Sequence, residues 1–231
     1  MRWIPNSLTL GNALMGCLAI AFLSINALDA MSFCIGLALL FDLLDGWAAR
    51  KLGVDGPLGV QLDSLADAIS FGAFPGLLWF HVGIGWGLPW WFSLLGLLPI
   101  LASLYRLGRF NLGLAGTKGF IGIPTPANAL FLLGVVWCAE ESWFKLPEMA
   151  WTYGLYALIS VWSAYSLNSP WPVMSFKDMP KGGMALVIRI MYALATVALL
   201  IILKMAAFAF IIPLLLLFSI IEHRYFKPKF A

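Results

Sequence analysis

The chain has 231 residues, 62% of them hydrophobic and 11% charged, with a formal net charge of +3 and a mean hydropathy of +0.92. This composition excludes an ordinary soluble globular protein and predicts a single integral membrane domain over residues 1–231, surrounded by membrane lipids. The small net charge and the lack of a basic run predict no nucleic-acid partner. The three cysteines and two histidines show no spacing typical of a metal site.

The N-terminal segment, residues 1–30, has two interpretations. It begins with Arg2, continues through an apolar run and ends in ALDA, as a secretory signal peptide does. However, the polar stretch PNSLTLGN (5–12) lies where the apolar core of a signal peptide should begin. We therefore expect this segment to form the first membrane span, with Trp3 at the interface.

Eight apolar stretches along the chain are each long enough to cross a bilayer as a helix. The predicted fold class is therefore all-α, a polytopic membrane bundle of about eight transmembrane helices. The boundary between the last two stretches is weak, because only Lys204 and Met205 divide them. The stretches cover roughly residues 9–27, 30–51, 60–82, 90–110, 124–143, 150–168, 184–204 and 206–223.

The basic residues predict the orientation of the bundle. With the N-terminus inside, only Lys145 and Lys204 of the fourteen lysines and arginines fall on the outer side. This distribution agrees with the positive-inside rule. It predicts that the cytoplasmic ends of the second and third helices lie together at the inner face of the cell membrane.

Four aspartates stand at those two helix ends, within FDLLDGWAARKLGVDGPLGVQLDSLAD. Asp42 and Asp45 are three residues apart and share a helix face, and Asp63 and Asp67 are four apart and share a face of the next helix. The segment 53–59 between them is rich in Gly and Pro, which is typical of a turn. The pattern predicts a helical hairpin that brings two carboxylates from each arm together.

Such a cluster of carboxylates predicts bound cations. Like charges in a low dielectric repel strongly unless cations lie between them. Oxygen ligands suit hard ions such as Mg²⁺ or Mn²⁺, and two divalent ions would balance four carboxylates. Two-metal sites are known for displacement at phosphorus.

A cation pathway through a transporter is the alternative, since buried aspartates also cluster there. The neighbouring residues favour an enzyme over this divalent-cation transporter. Gly46, Ala49 and Gly59 leave space for a bulky ligand, and Arg50 lies one turn beyond Asp45, where it can meet a phosphate.

The aspartates belong to a longer pattern, D-x2-D-G-x2-A-R-x8-G-x3-D-x3-D, which residues 42–67 meet at every fixed position. This pattern resembles the signature of the CDP-alcohol phosphatidyltransferase family. The resemblance implies an integral membrane enzyme with two divalent ions, Mg²⁺ or Mn²⁺, that transfers a phosphatidyl or related group from a CDP-linked donor to an alcohol. It also implies a homodimer and a six-helix core, here followed by two C-terminal helices.

The N-terminal PNSLT stretch also resembles this family, in which it leads into the first span beside the nucleotide site. The resemblance implies that Asn6 and Thr9 contact the nucleotide. Helix capping by these two side chains is the alternative.

Three later segments, RLGRFN, GFIGIPTPAN and SFK, resemble the serine-using, membrane-embedded branch of the family. Met174 stands where that branch usually has proline, and Asn128 follows Ala127, so the match to the branch is weaker than the match to the family. The motif-bearing core covers residues 4–182, and the C-terminal helical pair, 183–231, carries no motif.

The resemblance implies a role for each matched residue. CDP-diacylglycerol and L-serine would react to phosphatidylserine and CMP, with Asp67 as the general base. The same reaction with glycerol 3-phosphate or inositol phosphate as acceptor is the alternative within the family. The implied residues are Asp42, Asp45, Asp63 and Asp67 for the metals, Gly46, Ala49, Arg50, Gly59, Asn6 and Thr9 for the nucleotide and phosphates, and Arg106, Arg109 and Lys118 for the acceptor.

Overall fold

The computed structural model describes residues 3–54, 56–113, 120–141, 149–174 and 183–225, and most of these residues are helical. The predictions for Lys118 and the SFK segment lie outside the described residues. The all-α expectation is confirmed, apart from two strands of two residues each. The elements are α1 (Trp3–Phe22) with a 3₁₀ turn (Leu23–Ile25), α2 (Leu28–Leu52), α3 (Pro57–Asp67), a π-helical turn (Ala68–Ala73), α4 (Phe74–Gly85), α5 (Trp90–Ser93) with a 3₁₀ turn (Leu94–Leu97), α6 (Leu98–Asn111), β1 (Phe120–Ile121), α7 (Thr125–Glu140), α8 (Met149–Asn168), β2 (Pro172–Val173), α9 (Met184–Leu203), a 3₁₀ turn (Lys204–Ala207) and α10 (Phe208–Tyr225).

Within the described ranges, four helical segments are long and apolar enough to cross a membrane. This finding is in keeping with an integral membrane protein. A helical segment lies in each of the eight predicted stretches, but the number of membrane crossings stays a prediction. The four segments are Trp3–Ile25, Pro57–Gly85, Trp90–Asn111 and Met184–Arg224.

The chain forms two compact units. The first comprises Met1–Leu114 and Leu146–Ala164, and the second comprises Ala115–Lys145 and Tyr165–Ala231. The four aspartates all belong to the first unit. The single membrane domain expected from the composition stays a prediction.

The predicted helical hairpin is formed by α2 and α3 of the first unit. Gly53 ends α2 with φ at 60°, in the left-handed region that glycine adopts without strain. Pro57 is the first residue of α3, where its fixed φ suits a helix and its missing N–H costs nothing. The Gly/Pro-rich segment therefore stops one helix and starts the next, as the sequence predicts.

The helix that begins at Pro57 continues to Gly85, but it changes its hydrogen-bond pattern at the π-helical turn directly after Asp67. Such turns are frequent at functional sites. Helix α1 packs against this turn at Gly16, where any side chain would collide with Ser70. Residues of α1 are thereby held close to the carboxylate-bearing part of α3.

Helix α6 packs antiparallel to α3 and the π-helical turn. Ser64 at the α3 end donates a hydrogen bond to Asn111 Oδ1, at 2.9 Å. At the other end, a methyl group on Gly72 would lie 3.3 Å from Ser103 Cβ. Because the two contacts run in opposite sequence directions, the C-terminal end of α6 lies beside α3.

A buried aromatic cluster joins α8 to α4 and α5. Trp79 and Tyr156 stack with their ring centroids 4.9 Å apart. Tyr156 Oη donates to the carbonyl of Ser93 at 2.8 Å, and Trp79 Nε1 donates to Ser160 Oγ at 2.9 Å. Gly96 allows this packing, because a side chain there would collide with the tyrosine hydroxyl. Both large side chains are thus buried with their polar atoms bonded.

The second unit contains the C-terminal pair α9 and α10. Arg189 of α9 forms an ion pair with Glu222 of α10, at 2.7 Å, and its Nε lies 3.2 Å from each carboxylate oxygen. Helix α10 packs against α7, where a side chain on Gly134 would collide with the backbone of Ala209. Helix α10 is therefore held to α7 by close backbone packing and to α9 by the ion pair.

Candidate active site

Three of the four aspartates come together between α2 and α3. One carboxylate oxygen each from Asp42, Asp63 and Asp67 lies within 4.8 Å of the other two. Asp45 lies outside this group, although the sequence places it on the same helix face as Asp42. We call Asp42, Asp63 and Asp67 the carboxylate cluster.

Asp45 is held by a residue of α1. Its side chain is buried, with 6% of its surface exposed, and its Oδ2 accepts a hydrogen bond from Thr9 Oγ1 at 2.5 Å. The same hydroxyl lies 3.0 Å from the carbonyl of Pro5. A hydroxyl has one hydrogen to donate, so the bond to Asp45 is the one that its short distance favours.

The helix-capping alternative for Asn6 and Thr9 is wrong. Helix α1 already includes Trp3, so both residues lie inside it and neither can be its N-cap. Both side chains line a cavity beside the carboxylates instead. Thr9 also donates its hydrogen bond to Asp45 there, a contact that the sequence did not predict.

The cavity has a volume of about 240 Å³ and lies between the first turns of α1, the end of α2 and the start of α3. It is smaller than the roughly 300–1,000 Å³ usual for a pocket that encloses a drug-sized ligand. It is therefore too small to enclose a whole diacyl lipid. Its lining consists of Pro5, Asn6, Thr9, Asp42, Asp45, Gly46, Ala49, Val54, Gly56, Gly59, Val60 and Asp63.

The small residues of the motif keep this cavity open. A methyl group on Gly59 would lie 3.8 Å from Asn6 Oδ1, and one on Gly46 would lie 3.4 Å from Arg50 Nη1. The guanidinium of Arg50 thus folds back along α2 towards Gly46, but Arg50 is not among the residues that line the cavity. Gly46, Ala49 and Gly59 lie where the sequence predicts them, beside the carboxylates.

Asn12, which sequence reasoning missed, belongs to the same site. It is completely buried, and its Nδ2 donates to Asp67 Oδ1 at 3.4 Å. The signal was present in the sequence: Asn12 is three residues after Thr9, so the two share a helix face, and a polar residue in an apolar span usually has a function.

The acceptor candidates lie on α6. Arg106 and Arg109 are in its last two turns, before Asn111, which accepts the hydrogen bond from Ser64 next to Asp63. The guanidinium of Arg109 lies over the ring of Tyr105, 5.8 Å from its centroid. The helix that carries both arginines is thus fixed to the helix that carries the carboxylates.

The donor set of the site fits a divalent cation. Among the described residues, none of the four aspartates has a Lys or Arg nitrogen within ion-pairing distance. Carboxylate oxygens are the ligands of hard cations, and the carboxylate cluster is compact enough to share one.

A model of the CDP-alcohol phosphatidyltransferase family matches residues 2–171. The match includes the complete aspartate motif, the cavity and helix α6. The chain therefore belongs to the CDP-alcohol phosphatidyltransferase family, a family of transferases that generally use divalent metals.

Individual relatives agree with the family match. An archaetidylserine synthase from Methanothermobacter thermautotrophicus is 38% identical over 130 residues, which are 55% of this chain and 54% of that protein. A CDP-diacylglycerol–serine O-phosphatidyltransferase from Bacillus subtilis is 34% identical over 133 residues, 58% of this chain and 75% of the relative. A protein of the same description from Methanocaldococcus jannaschii is 38% identical over 135 residues, 57% and 59% of the two chains. The chain thus spans little more than half the length of two of these relatives.

Proposed function

We propose that the protein transfers the phosphatidyl group of CDP-diacylglycerol to L-serine, giving phosphatidylserine and CMP. The observation that carries the proposal is the carboxylate cluster in a chain of this family, with two of its three aspartates, Asp42 and Asp63, lining a cavity. Serine is proposed as the acceptor because it stands in the names of both kinds of relative. One is an archaetidylserine synthase, and the other is a CDP-diacylglycerol–serine O-phosphatidyltransferase.

The donor head group would occupy the cavity lined by α1, α2 and α3. Asn6 and the backbone at Gly46 and Gly59 would contact the nucleotide. Arg50, whose guanidinium folds back towards Gly46, would pair with a phosphate. The volume of about 240 Å³ leaves the acyl chains outside, in the lipid. The active site would face the cytoplasm at the inner cell membrane, in agreement with the distribution of basic residues.

Asp42, Asp45, Asp63 and Asp67 would hold divalent ions, Mg²⁺ or Mn²⁺. Such ions, when bound, neutralise charge on the diphosphate and on the departing CMP. The protein's own step is proton transfer: Asp67 accepts the proton of the serine hydroxyl while the serine oxygen forms a bond to the lipid-side phosphorus. The bond from that phosphorus to the oxygen of CMP breaks in the same displacement.

Arg106 or Arg109 would bind the serine carboxylate. A guanidinium matches a carboxylate with two parallel hydrogen bonds, which a lysine cannot reproduce. Glycerol 3-phosphate or inositol phosphate would need further cations for the second phosphate, and both stay alternatives as acceptors. A homodimer also stays a prediction.

The test is CMP release by the purified protein, supplied with CDP-diacylglycerol and, in turn, L-serine, glycerol 3-phosphate and inositol phosphate. We expect release with serine in Mg²⁺ or Mn²⁺, and no release in excess chelator. Asp42→Asn and Asp63→Asn should lose activity, whereas Asp29→Asn, the same change at an exposed position of α2, should keep it. Full activity in chelator would exclude the metal-dependent reaction, and release only with glycerol 3-phosphate would exclude serine.

A further inference from the structure

Asn12 makes two contacts with the segment that begins at Asp67. Its side-chain Nδ2 donates to Asp67 Oδ1, and its main-chain carbonyl accepts a hydrogen bond from Ser70 Oγ at 2.9 Å. Gly16, one turn further along α1, allows the close approach of the two backbones. One turn of α1 therefore fixes the last residue of α3 and the π-helical turn that follows it.

Packing alone does not explain why position 12 carries an amide side chain. The side chain is completely buried, and Oδ1 has no hydrogen-bond partner among the described residues. A buried polar atom without a partner costs free energy that an apolar side chain of similar size would not. The contribution of Asn12 must therefore come from its other amide atom, which contacts Asp67.

We propose that Asn12 is a positioning residue for Asp67, an inference that rests on the function proposed above. By donating to Oδ1, Asn12 fixes the rotation of the carboxylate and leaves Oδ2 as the oxygen that is available to the proton of the acceptor alcohol. The length of the bond, 3.4 Å, is ordinary for a catalytic hydrogen bond without substrate, since such bonds shorten in the reacting complex.

Positioning matters here because proton transfer requires the base within hydrogen-bond reach of the hydroxyl. A carboxylate that rotates freely presents the correct oxygen for only part of the time. Small displacements of reacting groups lower rates strongly. Loss of the Asn12 contact should therefore lower the rate of the reaction and leave the binding of CDP-diacylglycerol unchanged.

The test compares Asn12→Leu with Ser70→Ala. Leucine has a similar size to asparagine but neither a donor nor an unpaired acceptor, so the variant should be at least as thermally stable as the wild type. Its kcat should fall by roughly 10-fold or more, the scale of a lost charge-assisted hydrogen bond, while KM for CDP-diacylglycerol stays within about threefold. Ser70→Ala removes the other hydrogen bond between the same segments. This bond goes to the main-chain carbonyl of Asn12 and not to Asp67, so the kcat of Ser70→Ala should stay within about threefold of wild type.

Two further measurements separate positioning from a structural role. In an Asp67→Asn background, Asn12→Leu should cause no additional loss of kcat, because the residue acts through that carboxylate. At saturating Mn²⁺ the loss of kcat in Asn12→Leu should persist, because bound metal does not restore the orientation of the base. If Asn12→Leu does not accumulate, Asn12→Ala enters the same comparison.

The proposal is overturned if Asn12→Leu keeps wild-type kcat, or if Asn12→Leu still lowers kcat in the Asp67→Asn background. It is also overturned if Asn12→Leu and Ser70→Ala lose kcat to the same extent and both losses follow a lowered melting temperature. The function proposed above has a separate failure. Wild-type protein that releases no CMP from CDP-diacylglycerol and serine would refute that function, whereas an active wild type with an equally active Asn12→Leu refutes only the role of Asn12.

Discussion

Replacing Thr9 with valine removes one hydroxyl group from the site and keeps the shape of the side chain. Thr9 and Asp45 are 4% and 6% exposed, so water is a poor replacement for the lost hydrogen bond to Asp45 Oδ2. A hydrogen bond to a charged group contributes about 1.5–3 kcal/mol. Because Asp45 is a proposed metal ligand, we expect the apparent affinity for Mn²⁺ to fall by roughly 10- to 150-fold, the factor that corresponds to this energy.

The assay is a titration of Mn²⁺ at fixed CDP-diacylglycerol and serine, followed by CMP release and, separately, by the Mn²⁺-dependent rise in melting temperature. Thr9→Val should need more Mn²⁺ in both measurements and should approach wild-type turnover at saturation. Thr9→Ser, which keeps the hydroxyl, should resemble wild type.

A double-mutant cycle locates the effect of Thr9. In an Asp45→Asn background, Thr9→Val should change the Mn²⁺ requirement by less than about threefold, since the charged acceptor is already absent. An equal penalty in both backgrounds would show that Thr9 acts independently of Asp45, and our explanation of the contact would be wrong.

Three further predictions concern the base, the acceptor and the packing. Asp67→Asn should still bind CDP-diacylglycerol, measured with a radiolabelled donor, but turn over at least ~10²-fold more slowly, the usual scale for a lost general base; near-normal turnover contradicts the assignment. Arg106→Lys or Arg109→Lys should raise the KM for serine by about 10- to 150-fold, because lysine lacks the two parallel hydrogen bonds of the guanidinium. Unchanged serine kinetics in both variants would mean that these arginines contribute only to membrane orientation and not to serine binding. Gly96→Ala should lower the thermal stability, by roughly 1–3 kcal/mol for overpacking, whereas Gly85→Ala, which has open space around it, should not; equal melting temperatures would exclude close packing at Gly96.

The sequence predicted the parts of the site that depend on spacing along one helix. Two aspartates three apart and two aspartates four apart, joined by a Gly/Pro turn, were sufficient to predict a carboxylate hairpin. The turn itself follows from local backbone preferences, with Gly53 in the left-handed region and Pro57 at the first position of a helix.

The contacts between helices could not be predicted in the same way. Helical spacing places Asp45 beside Asp42, but its side chain bonds to Thr9, and this choice depends on where α1 crosses α2. The contact of Asn12 with Asp67 likewise depends on the close approach at Gly16. Hydrophobic periodicity defines which residues share a face, whereas the crossing of two helices depends on which small residues meet.

The ion pair between Arg189 and Glu222 has a consequence for how the C-terminal helices enter the membrane. Arg189 lies in the first third of α9, and Glu222 lies near the end of α10, 33 residues later. An unpaired arginine in an inserting helix costs up to about 2.5–3.5 kcal/mol, the value for the helix centre, and less nearer an end. Glu222 can reduce this penalty only once α10 lies beside α9. We therefore expect the two helices to insert as one hairpin, in the register that this bidentate pair specifies.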